Sequence, residues 1–137
     1  MRKAMMMAIG LAVLAGGAWA ADPVAQRIDT MKKIDARAAV LAAMAEGRAP
    51  YDARKAAEAA AAVAALSITI PQEYEVQAEG GKSRPEVWTD PKGFAAQADR
   101  LFKAAQGVKP DSLAAVKAGS DAVQATCTAC HDRYKAP

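Results

Sequence analysis

Alanine constrains the fold of this chain more than any other feature, because it occupies about a quarter of the sequence, 37 of 137 positions. Alanine is the best helix former and a poor strand former. The hydrophobic fraction of 53% therefore consists largely of methyl groups, and only 5% of the residues are aromatic. With so little side-chain bulk, a core requires helices that approach one another closely. The composition predicts an all-α fold, and the length allows one domain.

Charge and histidine content exclude several classes of function. The chain has 18 basic and 15 acidic residues, a net charge of +3, with no block of like charge. A nucleic-acid-binding protein needs lysine and arginine clustered on one face, so we expect no nucleic-acid partner. The only histidine is His131. Sites that need two histidines, including most zinc hydrolase centres, are therefore excluded.

Residues 1–20 have the pattern of a secretory signal peptide. Two basic residues precede an apolar run from Ala4 to Leu14, and Ala18-Trp19-Ala20 forms a small-x-small cleavage site. The alternative is a transmembrane anchor, but the apolar run is shorter than the roughly 20 residues that span a bilayer. Cleavage leaves residues 21–137 and removes two basic residues, which lowers the net charge from +3 to +1. We predict a periplasmic protein with no membrane anchor after cleavage.

Helix-start and helix-stop signals divide the mature chain into four amphipathic helices. Aspartate N-caps mark three of the starts, with proline at the first helical position in two cases, and glycine follows two of the ends. The predicted helices begin at Asp22-Pro23, Asp52, Asp90-Pro91 and Pro110-Asp111-Ser112, and the first three end at Glu46-Gly47, about Leu66 and before Gly107. Short connections within the first and last pairs predict an antiparallel four-helix bundle.

Apolar residues recur at spacings of three and four along these helices, which predicts the faces that pack in the core. The first stripe contains Val24, Ile28, Met31, Ile34, Ala38, Leu41 and Ala45. The third helix has Phe94, Ala98, Leu101 and Ala105. The fourth has Leu113, Val116, Val123, Cys127, His131 and Tyr134, with Ser120 as the polar exception.

A crossover of 23 residues, 67–89, connects the second and third helices and shows no helical period. A structureless connection of this length is unusual in a compact domain unless it covers a site. The alternative is a plain surface crossover. Gly80-Gly81 is expected to turn the chain, and Trp88 is expected to fix the crossover to the bundle by packing.

The segment Cys127-Thr128-Ala129-Cys130-His131 has the Cys-x-x-Cys-His spacing of a c-type haem attachment site. On a helix, residues three and four apart share a face, so two thiols can meet the haem vinyl groups while the imidazole reaches the iron. A disulfide here is strained, a thioredoxin-like pair needs a βαβ context, and a zinc site is one ligand short. The sequence therefore predicts one covalently attached haem c.

Met31 is the candidate for the second axial position of the iron. In an antiparallel bundle the start of the first helix lies level with the end of the fourth, so Met31 can face His131 across a haem. Met44 lies roughly 20 Å further along the helix axis and is interpreted as a core residue. Arg27, one turn before Met31, is a candidate for a haem propionate contact, and the alternative is a solvated arginine.

These segments, with Ala49-Pro50-Tyr51-Asp52 and Arg84-Pro85-Glu86-Val87-Trp88, occur in the order found in a known family. The chain resembles the class II cytochromes c, which comprise cytochrome c′ and its low-spin c-556-type relatives. The resemblance covers essentially the whole mature chain. It implies a four-helix bundle, one covalent haem, a periplasmic location and frequently a homodimer packed through the first two helices.

The resemblance also implies roles for particular residues. Cys127 and Cys130 would carry the thioethers, His131 would be the proximal ligand and position 31 would be distal. In low-spin members a methionine there binds the iron, whereas in cytochromes c′ a bulky apolar residue shields a five-coordinate iron that binds nitric oxide or carbon monoxide. The chain departs from many cytochromes c′ at two positions. Lys135 stands where those proteins often have arginine, and Ile28 stands where they often have a polar residue.

Two functions follow, and the first is favoured. The first is an electron carrier, with low-spin iron held by His131 and Met31, that serves periplasmic redox proteins. The alternative is a five-coordinate module that binds diatomic gases. A peroxidase-like enzyme would need a distal histidine, so no enzymatic activity is predicted. The near-neutral mature chain predicts weak electrostatic steering of partners, and the alanine-rich second helix allows a homodimer.

Overall fold

Helices account for the regular structure of the computed structural model, which describes residues 22–137. The four long helices are α1 (Pro23–Ala45), α2 (Ala53–Ser67), α5 (Pro91–Gln106) and α6 (Leu113–Tyr134), and two single-turn helices are α3 (Ile70–Glu73) and α4 (Glu86–Thr89). Within this part of the chain the only β pairing is an isolated bridge between Ser83 and Lys135. The predicted all-α fold is confirmed. The predicted signal peptide, residues 1–20, lies outside the described residues.

Three of the long helices begin at their predicted aspartate N-caps, and α6 begins after Ser112, within the predicted opening segment 110–112. The capping side chain accepts a hydrogen bond from a backbone N–H of the first turn, which has no partner within the helix itself. The bonds join Asp22 to Val24, Asp52 to Lys55, Asp90 to Gly93 and Ser112 to Ala115, at 2.9, 3.0, 3.1 and 3.2 Å. The chain leaves α1 through Gly47, whose φ of +73° is the left-handed conformation predicted for this position.

The long helices form a four-helix bundle in which α1 packs against α2 and α6, and α5 packs against the same two helices. Alanine supplies much of the buried surface, at positions 38, 56, 59, 60, 64, 98 and 105. One approach is closer still: a β-carbon at Gly119 of α6 would lie 2.9 Å from Val108 Cγ2 and 3.0 Å from Val108 Cα. Close contact between small residues thus replaces side-chain bulk in this core, as the composition requires.

Three residues of the predicted stripes, Ile28, Leu113 and His131, are exposed, so the stripes are wrong at these positions. Ile28 is 44% exposed and Leu113 is 46% exposed. Leu113 is the first residue of α6, and Ile28 lies beside a cavity at the end of the bundle rather than against another helix. Met44 is 2% exposed, which confirms its interpretation as a core residue.

The crossover contains more regular structure than predicted, because α3 and α4 each form one helical turn within it. A four-residue helix is too short to show a 3.6-residue period in sequence. The predicted turn is confirmed, since Gly80 and Gly81 have φ values of +101° and +70°. Trp88 fixes the crossover as predicted: its indole Nε1 donates a 2.8 Å hydrogen bond to the carbonyl of Tyr74, and its ring packs on the core.

The crossover also binds the C-terminal end of α6. The Arg84 backbone N–H donates to the Tyr134 carbonyl at 2.9 Å, and the Ala136 N–H donates to the Lys82 carbonyl at 2.7 Å. The last turn of α6 is therefore held from two sides, by the bundle and by the crossover. No helix in residues 22–137 has both the length and the apolar character of a membrane span.

Candidate functional site

Two adjoining cavities, of about 400 and about 590 Å³, lie where the start of α1 meets the end of α6. Volumes of this size are typical of cofactor pockets. Of the residues that the structure describes, five line both cavities: Met31, Asp35, Phe94, Cys130 and His131. Residues from α1, α5 and α6 thus form a shared wall, and this wall contains three of the site residues predicted from the sequence.

The Cys-x-x-Cys-His motif lies in the last two turns of α6, where its spacing directs the side chains toward the cavities. Cys127 lines the smaller cavity, and Cys130 lines both. The two thiols are half-buried, and they are not joined in a disulfide, which was the alternative interpretation. His131 is exposed at the shared wall. The motif therefore presents two thiols and one imidazole to the same space.

Burial sets the protonation states of these three groups. It raises the pKa of Cys130 to about 11, with a further contribution from Cys127. Burial also raises the pKa of Cys127, helped by the Asp35 carboxylate. For His131, which is exposed overall but partly covered at the cavity wall, this partial desolvation lowers the pKa, and Lys135 acts in the same direction. At neutral pH the site therefore holds protonated thiols and a neutral imidazole whose lone pair is free to bind a metal.

Met31 lies on α1 at the level of His131, as the antiparallel arrangement predicts. Its side chain is partly buried, packs on the core and lines both cavities. Met44 lines neither cavity. The structure thus places the thioether of Met31, rather than that of Met44, on the wall that contains His131. Iron ligation by Met31 stays a prediction.

Arg27 is 3% exposed, so the alternative of a solvated arginine is wrong. Its Nε donates a 2.8 Å hydrogen bond to the Glu73 carbonyl, and its Nη2 donates to the Val76 carbonyl. The guanidinium carbon lies 4.6 Å from the centre of the Tyr74 ring and 5.6 Å from that of Trp88. Arg27 ties α1 to the crossover and also lines the larger cavity. Its predicted propionate contact stays a prediction.

Sequence reasoning missed two residues of the shared wall as site residues. Asp35 lies one turn after Met31, and this i, i+4 spacing could have identified it. Phe94 appeared only as a core residue of the third helix. Its ring centre lies 4.9 Å from that of Tyr74 and 5.2 Å from that of Tyr134, within the range of favourable aromatic pairs. No local signal in the sequence indicates this three-ring cluster.

The donor set and the walls fit a covalently attached haem. Two thiols three residues apart and a neighbouring imidazole face cavities whose walls are largely apolar and aromatic. Gln97 Oε1 is buried beside the smaller cavity and has no hydrogen-bond partner among the described residues, as expected where a bound group completes the site. Crossover residues from Tyr74 to Val87 line the larger cavity, so the crossover covers a site and is not a plain surface connection.

Comparison with known proteins identifies relatives over the whole described part of the chain. The family model described as Cytochrome C′ matches residues 22–135. Cytochrome c′ of Rubrivivax gelatinosus is 36% identical over 102 residues, which cover 69% of this chain and 79% of that protein. Cytochrome c-555 of Bradyrhizobium diazoefficiens is 32% identical over 146 residues, covering 98% of this chain and 97% of the relative.

Solved structures share the same architecture. A nitric oxide complex of a cytochrome c′ variant from Alcaligenes xylosoxidans superposes with a TM-score of 0.76 at 25% sequence identity, covering 84% of this chain and 94% of the other. The bundle described above, with its long crossover, is thus similar to the fold of a protein that binds a diatomic gas.

Proposed function

Because this chain belongs to the cytochrome c′ family, whose members carry covalently attached haem c, we propose that it is a periplasmic single-electron carrier. In this proposal His131 and Met31 would both bind the haem iron. Cys127 and Cys130 would hold the haem through thioether bonds. The bound haem c supplies a one-electron iron couple.

One observation carries this proposal: Met31 and His131, from different helices, line the same two cavities. A thioether is a competent iron ligand, and histidine–methionine ligation is typical of electron-transferring cytochromes c. The neutral state that burial favours for His131 keeps its lone pair available. Apolar residues of α1 and α5, including Ile34 and Leu101, line the smaller cavity.

Neighbouring structure supports the positions of these two residues. Met31 lies within α1, about two turns after its start, and packs on the core, and His131 is followed by one further helical turn that the crossover holds. Rigid ligand positions limit the rearrangement that accompanies a change in iron charge. We therefore expect the same axial pair in the ferric and ferrous states.

Optical spectra of the purified holoprotein test the proposal. Low-spin bands in both oxidation states, with no spectral change on addition of carbon monoxide, are expected when Met31 binds the iron. High-spin bands, together with a new spectrum when carbon monoxide is added to the ferrous protein, would contradict the proposal and support the second candidate.

The second candidate is a five-coordinate haem protein that binds nitric oxide or carbon monoxide, with Met31 acting as a steric shield. The observation that favours it is the similarity to a cytochrome c′ that was solved as a nitric oxide complex. Met31 is compatible with this function too, because a side chain at the cavity wall can limit access without binding iron.

We further propose that residues 1–20 are a cleaved signal peptide, that residues 21–137 form the mature domain, and that periplasmic redox proteins are its partners. Mass spectrometry of the exported protein tests the cleavage: the expected mass is that of residues 21–137 plus one haem.

We also propose that two copies of the chain form a homodimer packed through α1 and α2, and sedimentation tests this. A monomer at micromolar concentration would contradict the homodimer and leave the electron-transfer proposal unaffected.

A further inference from the structure

Apolar residues and lysines lie side by side at the larger of the two cavities. Val24, Ile28 and Lys32 lie four residues apart on α1, so they share one face of the helix, and all three line the cavity. Ile28 is 44% exposed. A single exposed apolar residue is ordinary on a protein surface, so the significance of this one depends on the residues around it.

The charged residues around Ile28 are mostly cationic. Three exposed lysines line the cavity, and none of them forms an ion pair within residues 22–137: Lys32, Lys82 and Lys135. Arg27 adds a buried cation to the same wall. Asp35 is the one carboxylate that the described residues contribute to it. We call the surface formed by Val24, Ile28 and the three lysines the basic face.

The backbone beneath the basic face is held in place. The Lys82 carbonyl accepts a 2.7 Å hydrogen bond from the Ala136 N–H, and Lys135 forms a β-bridge with Ser83. The crossover turn packs closely on α1, since a β-carbon at Gly81 would lie 3.2 Å from Val24 Cγ1. The three elements that carry the lysines thus keep a fixed arrangement, which lowers the cost of ordering this surface when a partner binds.

We propose that the basic face is the docking surface for an acidic electron-transfer protein. An apolar centre with a charged rim is the usual composition of a protein–protein interface, and rim charges steer a partner of opposite charge. Cys130 and His131 line the same cavity, so a partner seated on this face would lie beside the haem attachment site. The inference rests on the proposed electron-transfer function and names the surface and the chemistry of its partner.

The distribution of charge, rather than its total, carries this inference. Residues 21–137 have a net charge of only +1, yet the wall of the larger cavity has four cations and one carboxylate from the described residues. Two exposed carboxylates of the crossover, Glu75 and Glu79, line neither cavity and so lie outside the basic face. Steering of an acidic partner can therefore be strong on this face although the whole chain is nearly neutral.

A second copy of this chain fits the basic face less well. In a two-fold dimer the same patch of each copy meets its counterpart, which would bring the three lysines of one copy against those of the other. The small apolar centre, Val24 and Ile28, also suits a transient redox encounter, which buries less surface than a permanent dimer.

The test measures reduction of the ferric holoprotein by an acidic flavodoxin in its hydroquinone state. One electron leaves the flavin, which becomes the semiquinone, and the ferric protein gains that electron and becomes ferrous. The variants are Lys32→Gln, Lys82→Gln and Lys135→Gln, singly and together. Lys117→Gln is the matched control, because it removes the same charge from an exposed, unpaired lysine of α6, about 21 Å along the helix axis from His131.

At low ionic strength each single substitution in the basic face should lower the second-order rate constant about twofold to fivefold, and the triple variant should lower it by about tenfold or more. Lys117→Gln should change it by less than about twofold. The differences should disappear at about 1 M salt, where the Debye length is about 3 Å. Reduction by lumiflavin semiquinone, a neutral flavin of small size, should proceed at similar rates in all of these proteins.

Three results would overturn the docking proposal. The first is a triple variant that matches Lys117→Gln with flavodoxin. The second is an equal loss of rate with lumiflavin, which would show that the lysines change the haem potential rather than the encounter. The third is a wild-type dimer in sedimentation that the triple substitution dissociates, which would show that a second copy covers the face. These results leave the electron-transfer function intact, whereas failure of both flavins to reduce the holoprotein would overturn that function and the docking proposal together.

Discussion

The hydroxyl of Tyr134, near the end of α6, donates a 2.9 Å hydrogen bond to Oδ2 of Asp90, the N-cap of α5. Oδ1 of the same carboxylate accepts from the Gly93 backbone N–H, and Arg133 donates to Oδ2 at 2.7 Å. Asp90 thus caps one helix and holds the end of another, the end that contains the Cys-x-x-Cys-His motif. Since His131 lies one turn before Tyr134, this contact helps to position the residue proposed as the proximal ligand.

Stability in acid should depend on Asp90. The Tyr134 hydroxyl, and then the Gly93 N–H, hold the pKa of Asp90 below its usual value of 3.8. A group whose pKa is lowered on folding stabilises the protein above its unfolded pKa, and this contribution is lost as the pH falls through the folded pKa. As the pH is lowered below 3.8, we expect the thermal midpoint of Asp90→Asn to fall less steeply than that of the wild type.

Thermal unfolding followed by circular dichroism over this acid range checks the prediction. Asp121→Asn is the control, because Asp121 is exposed on α6 and takes part in none of these hydrogen bonds. If Asp90→Asn and the wild type lose stability in parallel down to the lowest pH, the proposed role of the Asp90 carboxylate is wrong.

Replacing Arg27 by methionine should destabilise the fold. The substitution keeps a long apolar stem but removes two charge-assisted hydrogen bonds to partly buried crossover carbonyls. Such bonds contribute about 1.5–3 kcal/mol each, so we expect the free energy of unfolding to fall by about 3 kcal/mol. Chemical denaturation measures the change. Arg37→Met, at an exposed position of the same helix, should change stability by less than about 0.5 kcal/mol; equal effects would contradict this account of Arg27.

Gly119→Ala should also destabilise the protein, although alanine favours a helix by about 1 kcal/mol over glycine. The added methyl group would meet Val108 at 2.9–3.1 Å, including a backbone atom. Overpacking of this kind typically costs about 1–3 kcal/mol. Denaturation of the single variant and of Gly119→Ala/Val108→Ala tests the contact. Partial recovery in the double variant is expected, and a stabilising single substitution would contradict the close approach of the two residues.

Single cysteine variants should show whether each cysteine forms a thioether bond to the haem. Cys127→Ala and Cys130→Ala should each retain haem through one remaining thioether, whereas the double variant should release all of its haem on extraction with acidified acetone. Mass spectrometry measures the covalent haem, and the pyridine haemochrome spectrum reports the vinyl group left free. A single variant whose haemochrome spectrum equals that of the wild type would show that the mutated cysteine forms no bond to the haem.

Local signals in the sequence were sufficient for the long helices. Asp22, Asp52, Asp90 and Ser112 cap their helices through side-chain contacts two or three residues away, and such contacts are visible in a linear pattern. The Cys-x-x-Cys-His motif and the depth of Met31 also follow from helix geometry and antiparallel connections.

Long-range contacts could not be predicted in the same way. Arg27 donates to residues 46 and 49 positions away, so its burial depends on where the crossover lies. Tyr134 bonds to Asp90 across 44 residues. The apolar spacing alone predicts that Ile28 is buried. Its side chain is exposed because it lies beside a cavity rather than against another helix. These contacts arise from tertiary packing, which the helical period does not encode.

Ligation by Met31 is tested most directly by ferric and ferrous optical spectra of Met31→Leu beside those of Met44→Leu. Leucine keeps the volume of methionine but removes the sulfur, so the fold should survive both substitutions. The account predicts low-spin spectra for the wild type and for Met44→Leu, whose side chain is buried away from the cavities, and high-spin spectra for Met31→Leu. High-spin spectra in the wild type that Met31→Leu leaves unchanged would contradict it.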